Sequence, residues 1–295
     1  MSRWDGIDEF TAVAEQASFS GAAKRLGLST SAVSREIARL EDRLQTRLLH
    51  RTTRRVELTD AGREFLTHCR RLIDERDEAL AAIQPDDHAP RGLLRMTCSV
   101  SYGERFIAPA VNAFARQHSE LRIDLDLDNR LRDLVGEGYD LAIRFGHLTD
   151  SRLMARRLAS RSLILCASPE YLARRGAPRE LSEIGSHDTL SGSSQQWRFT
   201  EGGREVTLTP LSRWRCNSGT AVMDAALQGL GLCQLPDFYV RGALEDGRLV
   251  SLLNSQRPPD EGVWAVHPHP RHVPPKVRAM IDWLHDHLDT NGAKP

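Results

Sequence analysis

Two short helical patterns joined by a glycine turn constrain the fold more than any other feature of this sequence. The first pattern ends at Gly27, the residue type that best tolerates a left-handed exit from a helix. Its apolar side comprises Ala22, Ala23 and Leu26. The second pattern is defined by apolar residues at intervals of three or four positions, namely Val33, Ile37, Leu40, Leu44 and Leu48. Ser20 and Ser29 stand where their hydroxyls can cap the two helices, so the stretch predicts two helices meeting across a short turn.

The face of the second helix that lies opposite its apolar stripe is small and polar. At about 100° per residue, Ser31, Ser34 and Arg35 turn away from the core. Serine hydroxyls can donate to or accept from base edges, and an arginine can bind guanine through two hydrogen bonds. Arg39 starts a basic row on one flank that suits phosphates. An ordinary helical corner with capping serines and solvated arginines is the alternative, but it does not explain the three outward residues together.

Charge is distributed unevenly along a chain whose 40 Lys and Arg balance 40 Asp and Glu. Residues 20–63 contain ten basic and five acidic side chains, whereas residues 64–90 contain three basic and seven acidic ones. The overall balance argues against a protein that coats nucleic acid along its full length, while the local excess predicts one small DNA-binding module. Basic and β-branched residues 51–58 predict a short hairpin, for which a solvated surface hairpin is the alternative.

A long helix is predicted from Thr59 or Asp60 to about residue 84, followed by a linker at residues 85–92. Its apolar residues partly repeat by sevens, which suits pairing with another helix. The candidate dimerisation residues are Phe65, Leu66, Leu72, Ile73 and Leu80. From residue 93 onward, strand and helix patterns alternate, which predicts an α/β domain.

In such domains ligands bind beyond the carboxyl ends of strands, beside helix N-termini. Three turns fit that description, and their residues are the candidate effector contacts: Ser99, Ser101, Tyr102, Arg144, Phe145, Asn217 and Ser218. Hydroxyls, amides and one arginine favour a small polar or anionic molecule. Ordinary helix capping is an equally good explanation for Ser99, Asn217 and Ser218.

The stretch SFSGAAKRLGLSTSAVSREIARLEDRLQTRLLHRTTRRVELTDAG, together with DLAIRFG, CASPEYL and GLGLCQLP, resembles the LysR-type bacterial transcriptional regulators. The resemblance covers nearly the whole chain. It implies an all-α winged helix-turn-helix N-terminal domain (1–59, with the helix-turn-helix from Phe19 to Ala38), a linker and dimerisation helix (60–90), and an α/β effector domain (91–295). The effector domain would have the two lobes of a type 2 periplasmic binding protein, about 91–160 with 264–290, and about 161–263.

The same resemblance assigns functions to residues of the N-terminal domain and implies its partners. Thr30, Ser31, Ser34 and Arg35 would read base edges, while Ser20, Arg39 and the wing residues Arg51, Thr53, Arg54 and Arg55 would complete the DNA contacts. Implied partners are double-stranded DNA carrying an imperfect palindrome, a small-molecule effector bound between the lobes, a second copy in a homodimer or tetramer, and RNA polymerase. We therefore expect a transcriptional regulator.

Other chemistries have weaker support. Five widely spaced cysteines without a CxxC pair predict neither a disulfide framework nor a zinc site. Cys216 and Cys233 leave a thiol-based redox regulator as an alternative, although buried structural thiols are favoured. HPHPRH holds His267, His269 and His272, but its prolines oppose a metal site.

An enzyme, a cofactor-binding protein and a membrane protein are disfavoured because no catalytic or nucleotide motif and no long apolar run occurs. The acidic start lacks a signal-peptide pattern, so we expect a cytoplasmic location. A solute-binding protein without DNA function would explain the C-terminal half but leaves the basic module unexplained.

Overall fold

The computed structural model describes residues 5–51, 56–81, 90–146, 148, 153–268 and 273–292. The N-terminal domain and the helix that follows it consist of α1 (Ile7–Gln16), α2 (Phe19–Leu26), α3 (Thr30–Leu44), β1 (Leu49–Arg51), β2 (Val56–Leu58) and α4 (Asp60–Ala81). β1 and β2 pair antiparallel with Leu49 opposite Leu58, which forms the predicted hairpin. Residues 52–55 at its tip lie outside the described residues.

Hydroxyl caps start α2 and α3. Ser29 Oγ accepts from the Ala32 N–H (3.1 Å), as the sequence predicts. For α2 the predicted cap, Ser20, is wrong: Ser18 Oγ accepts from the Gly21 N–H (3.2 Å), because the helix starts at Phe19. Ser20 then lies on the first turn of α2 with its hydroxyl exposed.

The N-terminal core buries most of the predicted stripe of α3. Val33, Ile37 and Leu40 are buried against α1 and α2. Leu44 does not join them, because its side chain is 39% exposed at the last residue of the helix. Leu48 is buried after the chain turns back toward β1. α3 therefore ends at Leu44, and Leu48 reaches the core from the turn after the helix, not from a continuation of the helix.

α4 packs one side against the N-terminal domain of its own chain. Leu66 and Cys69 are buried in that core, and Phe65 and Ile73 pack against its edge. Leu66 is 6% exposed, which corrects the expectation that its side chain faces a partner helix. Leu72 is half-buried outside this core. The side chain of Leu80 lies outside the described residues.

The C-terminal domain contains the elements that follow. Its helices are α5 (Val100–Tyr102), α6 (Ala108–Gln117), α7 (Pro169–Arg175), α8 (Gly219–Leu227), α9 (Asp237–Glu245) and α10 (Pro275–Gly292). A π-helical turn, Gly103–Ile107, joins α5 to α6. Its strands are β3 (Gly92–Cys98), β4 (Leu121–Leu127), β5 (Leu141–Phe145), β6 (Met154–Arg161), β7 (Leu163–Ala167), β8 (Thr189–Ser191), β9 (Trp197–Glu201), β10 (Arg204–Leu208), β11 (Trp214–Arg215), β12 (Leu232–Pro236), β13 (Val250–Ser251) and β14 (Glu261–His267).

These strands form two five-stranded mixed sheets and one hairpin. The first sheet has the order β4-β3-β5-β14-β6, and α6 and α10 cover one of its faces. The second has the order β11-β8-β12-β7-β13, with the β9-β10 hairpin beside it. Each sheet has its own apolar core, so the domain has two lobes.

The chain crosses between the lobes twice. The first crossing connects β6, which ends at Arg161, to β7. The second reaches β14 at Glu261, directly opposite Arg161 in the antiparallel pairing, so the return precedes the predicted boundary at residues 263/264. Both crossings therefore lie side by side at the base of the cleft between the lobes. Among the described residues, no helix has the length and apolarity that a membrane crossing requires.

Candidate DNA-binding and effector-binding sites

The outward face of α3 presents the side chains that the sequence predicts for base recognition. Thr30, Ser31 and Arg35 are exposed, and Ser34 is half-buried on the same helix. Ser31 Oγ lies 3.0 Å from the capping Ser29 Oγ, and Arg39 pairs with Glu36 one turn earlier (2.7 Å). The cap and the surface pair hold the first turns of α3 in place while its small polar residues stay at the surface.

The base of the wing is attached to α3 through a buried carboxylate. Glu41 is 2% exposed, and its Oε1 accepts from the N–H groups of Leu48 (2.8 Å) and Leu49 (3.1 Å). Its Oε2 accepts from Arg47 Nη1 at 3.0 Å. Two backbone donors and a guanidinium satisfy the charge of this carboxylate, which fixes β1 relative to α3.

For the wing itself, the structure describes the backbone of Arg51 in β1. The side chain of Arg51 and the predicted contacts Thr53, Arg54 and Arg55 lie outside the described residues. The antiparallel pairing of His50 with Glu57 nevertheless sets the direction in which the hairpin leaves the domain.

Glu15, at the end of α1, connects the two domains through arginines. Its side chain is 11% exposed and lies 2.5 Å from Arg25 of α2 and 3.4 Å from Arg70 of α4. Arg122 of β4 approaches the same carboxylate at 3.8 Å. Movement of the first sheet relative to α4 would therefore change the surroundings of a half-buried ion cluster beside the helix-turn-helix.

Two of the three predicted turns in the C-terminal domain meet across the cleft. Asn129 joins them: its Oδ1 accepts from the Val100 N–H (3.1 Å), and its Nδ2 donates to Asn217 O (2.7 Å). Ser218 Oγ accepts from the Ala221 N–H (3.4 Å), so this serine acts as a helix cap. Ser99 is at the corresponding position before α5. The sequence offered no signal for Asn129, because its role depends on which loops face each other.

Aromatic rings from both lobes fill the space next to these turns. Tyr102 lies 5.1 Å from Phe145 of the first lobe and 5.5 Å from Phe238 of the second, in edge-to-face geometry. Burial raises the pKa of Tyr102 well above its ordinary value, so its hydroxyl stays protonated at neutral pH. Ser101 hydrogen-bonds the Tyr239 hydroxyl on the opposite lobe. Three predicted residues, Ser101, Tyr102 and Phe145, are thus brought to one interlobe contact.

Arg144 does not join this group, which corrects the prediction. Successive strand residues point to opposite faces, so Arg144 and its neighbour Phe145 diverge. Arg144 Nη2 donates to Arg132 O (2.7 Å) on the far side of the sheet. The cation beside the rings is Arg161, whose guanidinium carbon lies 3.9 Å from the centre of the Phe145 ring.

Arg161 belongs to an ion cluster at the two crossings. Glu261 accepts from Arg161 Nε (2.6 Å) through one oxygen and from Arg198 Nη2 of the second lobe through the other. The Gln234 side chain accepts from Arg198 N (2.9 Å) and donates to Arg198 O (2.7 Å), which fixes that strand. Desolvation lowers the pKa of Arg161, and the charge of Glu261 opposes this shift. None of these residues was a predicted contact, since only the strand order places them together.

A cavity of about 270 Å³ opens beside this cluster. Its wall includes Gly146, which directly follows the predicted contacts Arg144 and Phe145, and Trp264, whose Nε1 donates to Gly146 O (2.9 Å). Its charged residues are Arg157, Arg198, Glu205, Asp260 and Glu261.

The thiols and histidines are arranged differently from the alternatives that the sequence raised. Cys233 contacts Cys166 on the neighbouring strand, Sγ to Sγ 3.6 Å, while Cys216 is half-buried elsewhere. Contact with Cys166 and burial raise the pKa of Cys233 well above the usual range. His267 is buried at the end of β14, and His269 and His272 lie outside the described residues. Within the described part of the chain, no group of three His, Cys, Asp or Glu side chains could hold a metal ion.

A winged helix-turn-helix joined by a long helix to a two-lobed α/β domain defines a ligand-responsive DNA-binding regulator as the class of protein. Residues 4–63 match the family described as "Bacterial regulatory helix-turn-helix protein, lysR family", and residues 87–289 match "LysR substrate binding domain". The chain belongs to the LysR family of bacterial transcriptional regulators.

Individual relatives agree with this assignment. An HTH-type transcriptional regulator of Xanthomonas campestris pv. campestris is 39% identical over 285 residues, which span 93% of this chain and 82% of the relative. PtxR of Pseudomonas aeruginosa is 37% identical, over 95% of this chain and 91% of its own. The full-length structure of AphB, a virulence activator of Vibrio cholerae, superposes with a TM-score of 0.60 at 30% identity and covers 97% of this chain and 100% of AphB. Each likeness extends through both domains.

Proposed function

We propose that this regulator reads its operator by inserting α3 into the major groove, with Thr30, Ser31, Ser34 and Arg35 toward the base edges. The supporting observation is the capped recognition helix whose outward face is small, polar and exposed around Arg35. An arginine at this position can bind guanine through two hydrogen bonds, and the short serines let the helix approach closely. Ser20, which is exposed on the first turn of α2, contacts the DNA sugar-phosphate backbone next to the major groove in this proposal.

The wing and the flank of α3 contribute affinity rather than sequence preference in this proposal. Arg51, Thr53, Arg54 and Arg55 contact phosphates or the minor groove, and Arg39 exchanges its surface partner Glu36 for a phosphate. Contacts of this kind release counterions, so their loss lowers the salt dependence of binding.

The DNA-bound form is a dimer whose two recognition helices address half-sites of an imperfect palindrome, separated by about one helical turn of DNA. In this dimer α4 contacts its partner helix through Leu72 and Leu80, with Phe65 and Ile73 at the edge of the interface. Leu66 takes no part, because its side chain is buried in the N-terminal core of its own chain. Pairing of dimers into tetramers and contact with RNA polymerase complete the proposed assembly.

A small molecule bound between the lobes regulates the protein. The turns at Ser99 and Asn217, joined by Asn129, lie at the mouth of the cleft, and its base holds the Arg161 cluster. A ligand that favours one separation of the lobes shifts the population of that state, and the Glu15 cluster lies between the first lobe and the helix-turn-helix. No enzymatic step belongs to this proposal.

A thiol-based redox regulator is the second candidate, supported by the distance of 3.6 Å between Cys166 and Cys233. A hydroperoxide would convert the two thiols to one disulfide with release of water and alcohol. Both thiols are fully buried, which hinders access of a peroxide to either sulfur. We therefore favour effector binding, and treatment of the purified protein with hydrogen peroxide, with C166S as control, should leave operator affinity unchanged.

Selection of operators from random DNA tests the main proposal, followed by binding measurements on the selected duplex. Arg35→Ala should lose affinity mainly at one base position, by about 1–3 kcal/mol, and relax specificity there. Arg54→Ala should weaken binding to all sequences and reduce the salt slope by about one. Equal losses for both variants on random DNA would refute this division between base reading and phosphate contact.

A further inference from the structure

The cavity at the crossings carries both signs of charge, and this pattern indicates what kind of molecule it takes. It is bounded by β14 and β6 of the first lobe and by the β9-β10 hairpin of the second. At about 270 Å³ it is smaller than the ~300–1,000 Å³ of pockets for drug-sized ligands. A metabolite with few heavy atoms therefore suits its size.

Three of the charged groups at the cavity, Glu261, Arg198 and Glu205, are already paired with one another or with the neighbouring Arg161. Glu261 is shared by Arg161 and Arg198, and Glu205 lies 3.7 Å from Arg198. These two carboxylates and two guanidiniums have no net charge. A ligand that displaced one of them would leave a half-buried partner unpaired, which is costly.

Arg157 and Asp260 are the remaining charges on the wall. Asp260 Oδ1 accepts from the Ser162 hydroxyl (2.5 Å), and in the described ranges no arginine or lysine pairs with it. Across those same residues, Arg157 has no carboxylate partner either. The cavity therefore presents one positive group on β6 and one negative group directly before β14 to whatever enters it.

An apolar surface lies between these two groups. Trp264 is the register partner of Arg157, so both side chains project from the same face of the sheet. Its indole lies directly over the strand, since a Cβ on Gly262 would be 2.4 Å from Trp264 Nε1. The hydrogen bond to Gly146 O fixes the ring in this orientation. Asp260 bonds Ser162, directly after the end of β6, whereas Arg157 lies within β6 opposite Trp264, so the two charged residues lie at different positions along the strand pair and do not form a compact ion pair.

We propose that this cavity binds a small zwitterion, with the ligand carboxylate on Arg157, its ammonium group on Asp260 and its carbon chain along Trp264. The inference rests on the proposed role of the C-terminal domain as the effector-binding domain. Both side chains are exposed, so neither needs a partner when the cavity is empty, but a ligand with both charges gains two charged hydrogen bonds where a simple anion or cation gains one. The separation of the two groups favours an amino acid whose charges are several bonds apart.

Ligand binding to the purified full-length protein, measured by calorimetry and thermal shift, tests this inference. The probes form a series of increasing charge separation: glycine, β-alanine, 4-aminobutanoate, 5-aminopentanoate and 6-aminohexanoate, with the proteinogenic L-amino acids alongside. Hexanoate and hexylamine are matched controls that each lack one charge. We expect saturable binding for at least one longer member and at least tenfold weaker binding for both controls.

Two isosteric variants locate the site. Arg157→Gln and Asp260→Asn should each weaken binding at least tenfold, whereas Arg116→Gln on the exposed side of α6 should not change it. Binding of hexanoate or hexylamine as tight as that of any zwitterion would overturn the inference, as would the absence of binding by the whole series. Operator selection by the same protein is measured separately, so a regulator that selects DNA but binds no zwitterion refutes this inference alone.

Discussion

Removal of the Glu41 carboxylate should loosen the wing from the recognition helix. Glu41→Ala leaves the buried N–H groups of Leu48 and Leu49 without an acceptor. An unsatisfied buried donor costs about 1–3 kcal/mol, so the two together cost about 2–6 kcal/mol. The pair with Arg47 adds little, because that side chain is 73% exposed. This loss is large beside the total stability of about 5–15 kcal/mol typical of a domain.

Native-state hydrogen exchange of peptides covering β1 measures this effect where it occurs, which global unfolding of a multidomain chain would not. A loss of 2 kcal/mol corresponds to roughly thirtyfold faster exchange, since 1.4 kcal/mol is tenfold. Glu41→Gln should fall between wild type and Glu41→Ala, because one acceptor oxygen remains. Glu36→Ala, which breaks a surface pair of the same helix, should change exchange by no more than a few-fold. If Glu41→Ala exchanges within threefold of wild type at β1, the carboxylate does not hold the wing.

Three further predictions concern packing, pH and thiol chemistry. Gly62→Ala should destabilise the N-terminal domain and weaken DNA binding, because its Cβ would lie 2.0 Å from Leu48 O, whereas Gly242→Ala in α9 meets no atom within 4 Å and should stabilise the helix by about 0.5–1 kcal/mol in urea unfolding. Burial lowers the pKa of His267 below its ordinary value of 6.5, so the free energy of unfolding should fall as pH drops below about 6.5, and His267→Gln should reduce the difference between urea midpoints at pH 7.5 and 5.5. Cys216 should be the first thiol to react with a disulfide reagent at pH 8, since the other four cysteines are buried.

Each of these has a contrary outcome. Equal stability of the two glycine variants would mean that α4 does not approach the base of the wing as closely as the backbone indicates. An unchanged pH dependence in His267→Gln would assign the acid sensitivity to another group. Simultaneous reaction of all five thiols in the native protein would show that their burial does not protect them.

The N-terminal domain was largely predictable because its information is local. The spacing of Val33, Ile37 and Leu40 defined the buried side of α3, and Ser29 marked its start. The cap of α2 was misplaced by two residues, since Ser18 and Ser20 have the same chemistry and only the entry angle of the chain separates them. Leu44 was misjudged because a helical period does not show where the helix ends.

The effector half was predictable in outline but not in its contacts. Alternation of strands and helices indicated an α/β domain, and the predicted turns at residues 99–102 and 217–218 do meet. The arginine predicted to contact the effector, Arg144, faces the far side of the sheet. The arginine that lies over Phe145 is Arg161, on a different strand. Likewise, the close thiol pair is Cys166 with Cys233, which are 67 residues apart in the chain.

By itself, the sequence determined the helix α3, its outward polar face and the division into a basic module and an α/β domain. These follow from contacts between residues three or four positions apart, which a helical period reveals directly. The tertiary structure alone decided that Glu41 is buried under the wing, that Leu66 packs inside its own chain, and that Arg157, Asp260 and Trp264 surround one cavity. Those arrangements depend on strand order and register, and a shift of one residue along a strand turns every side chain to the opposite face.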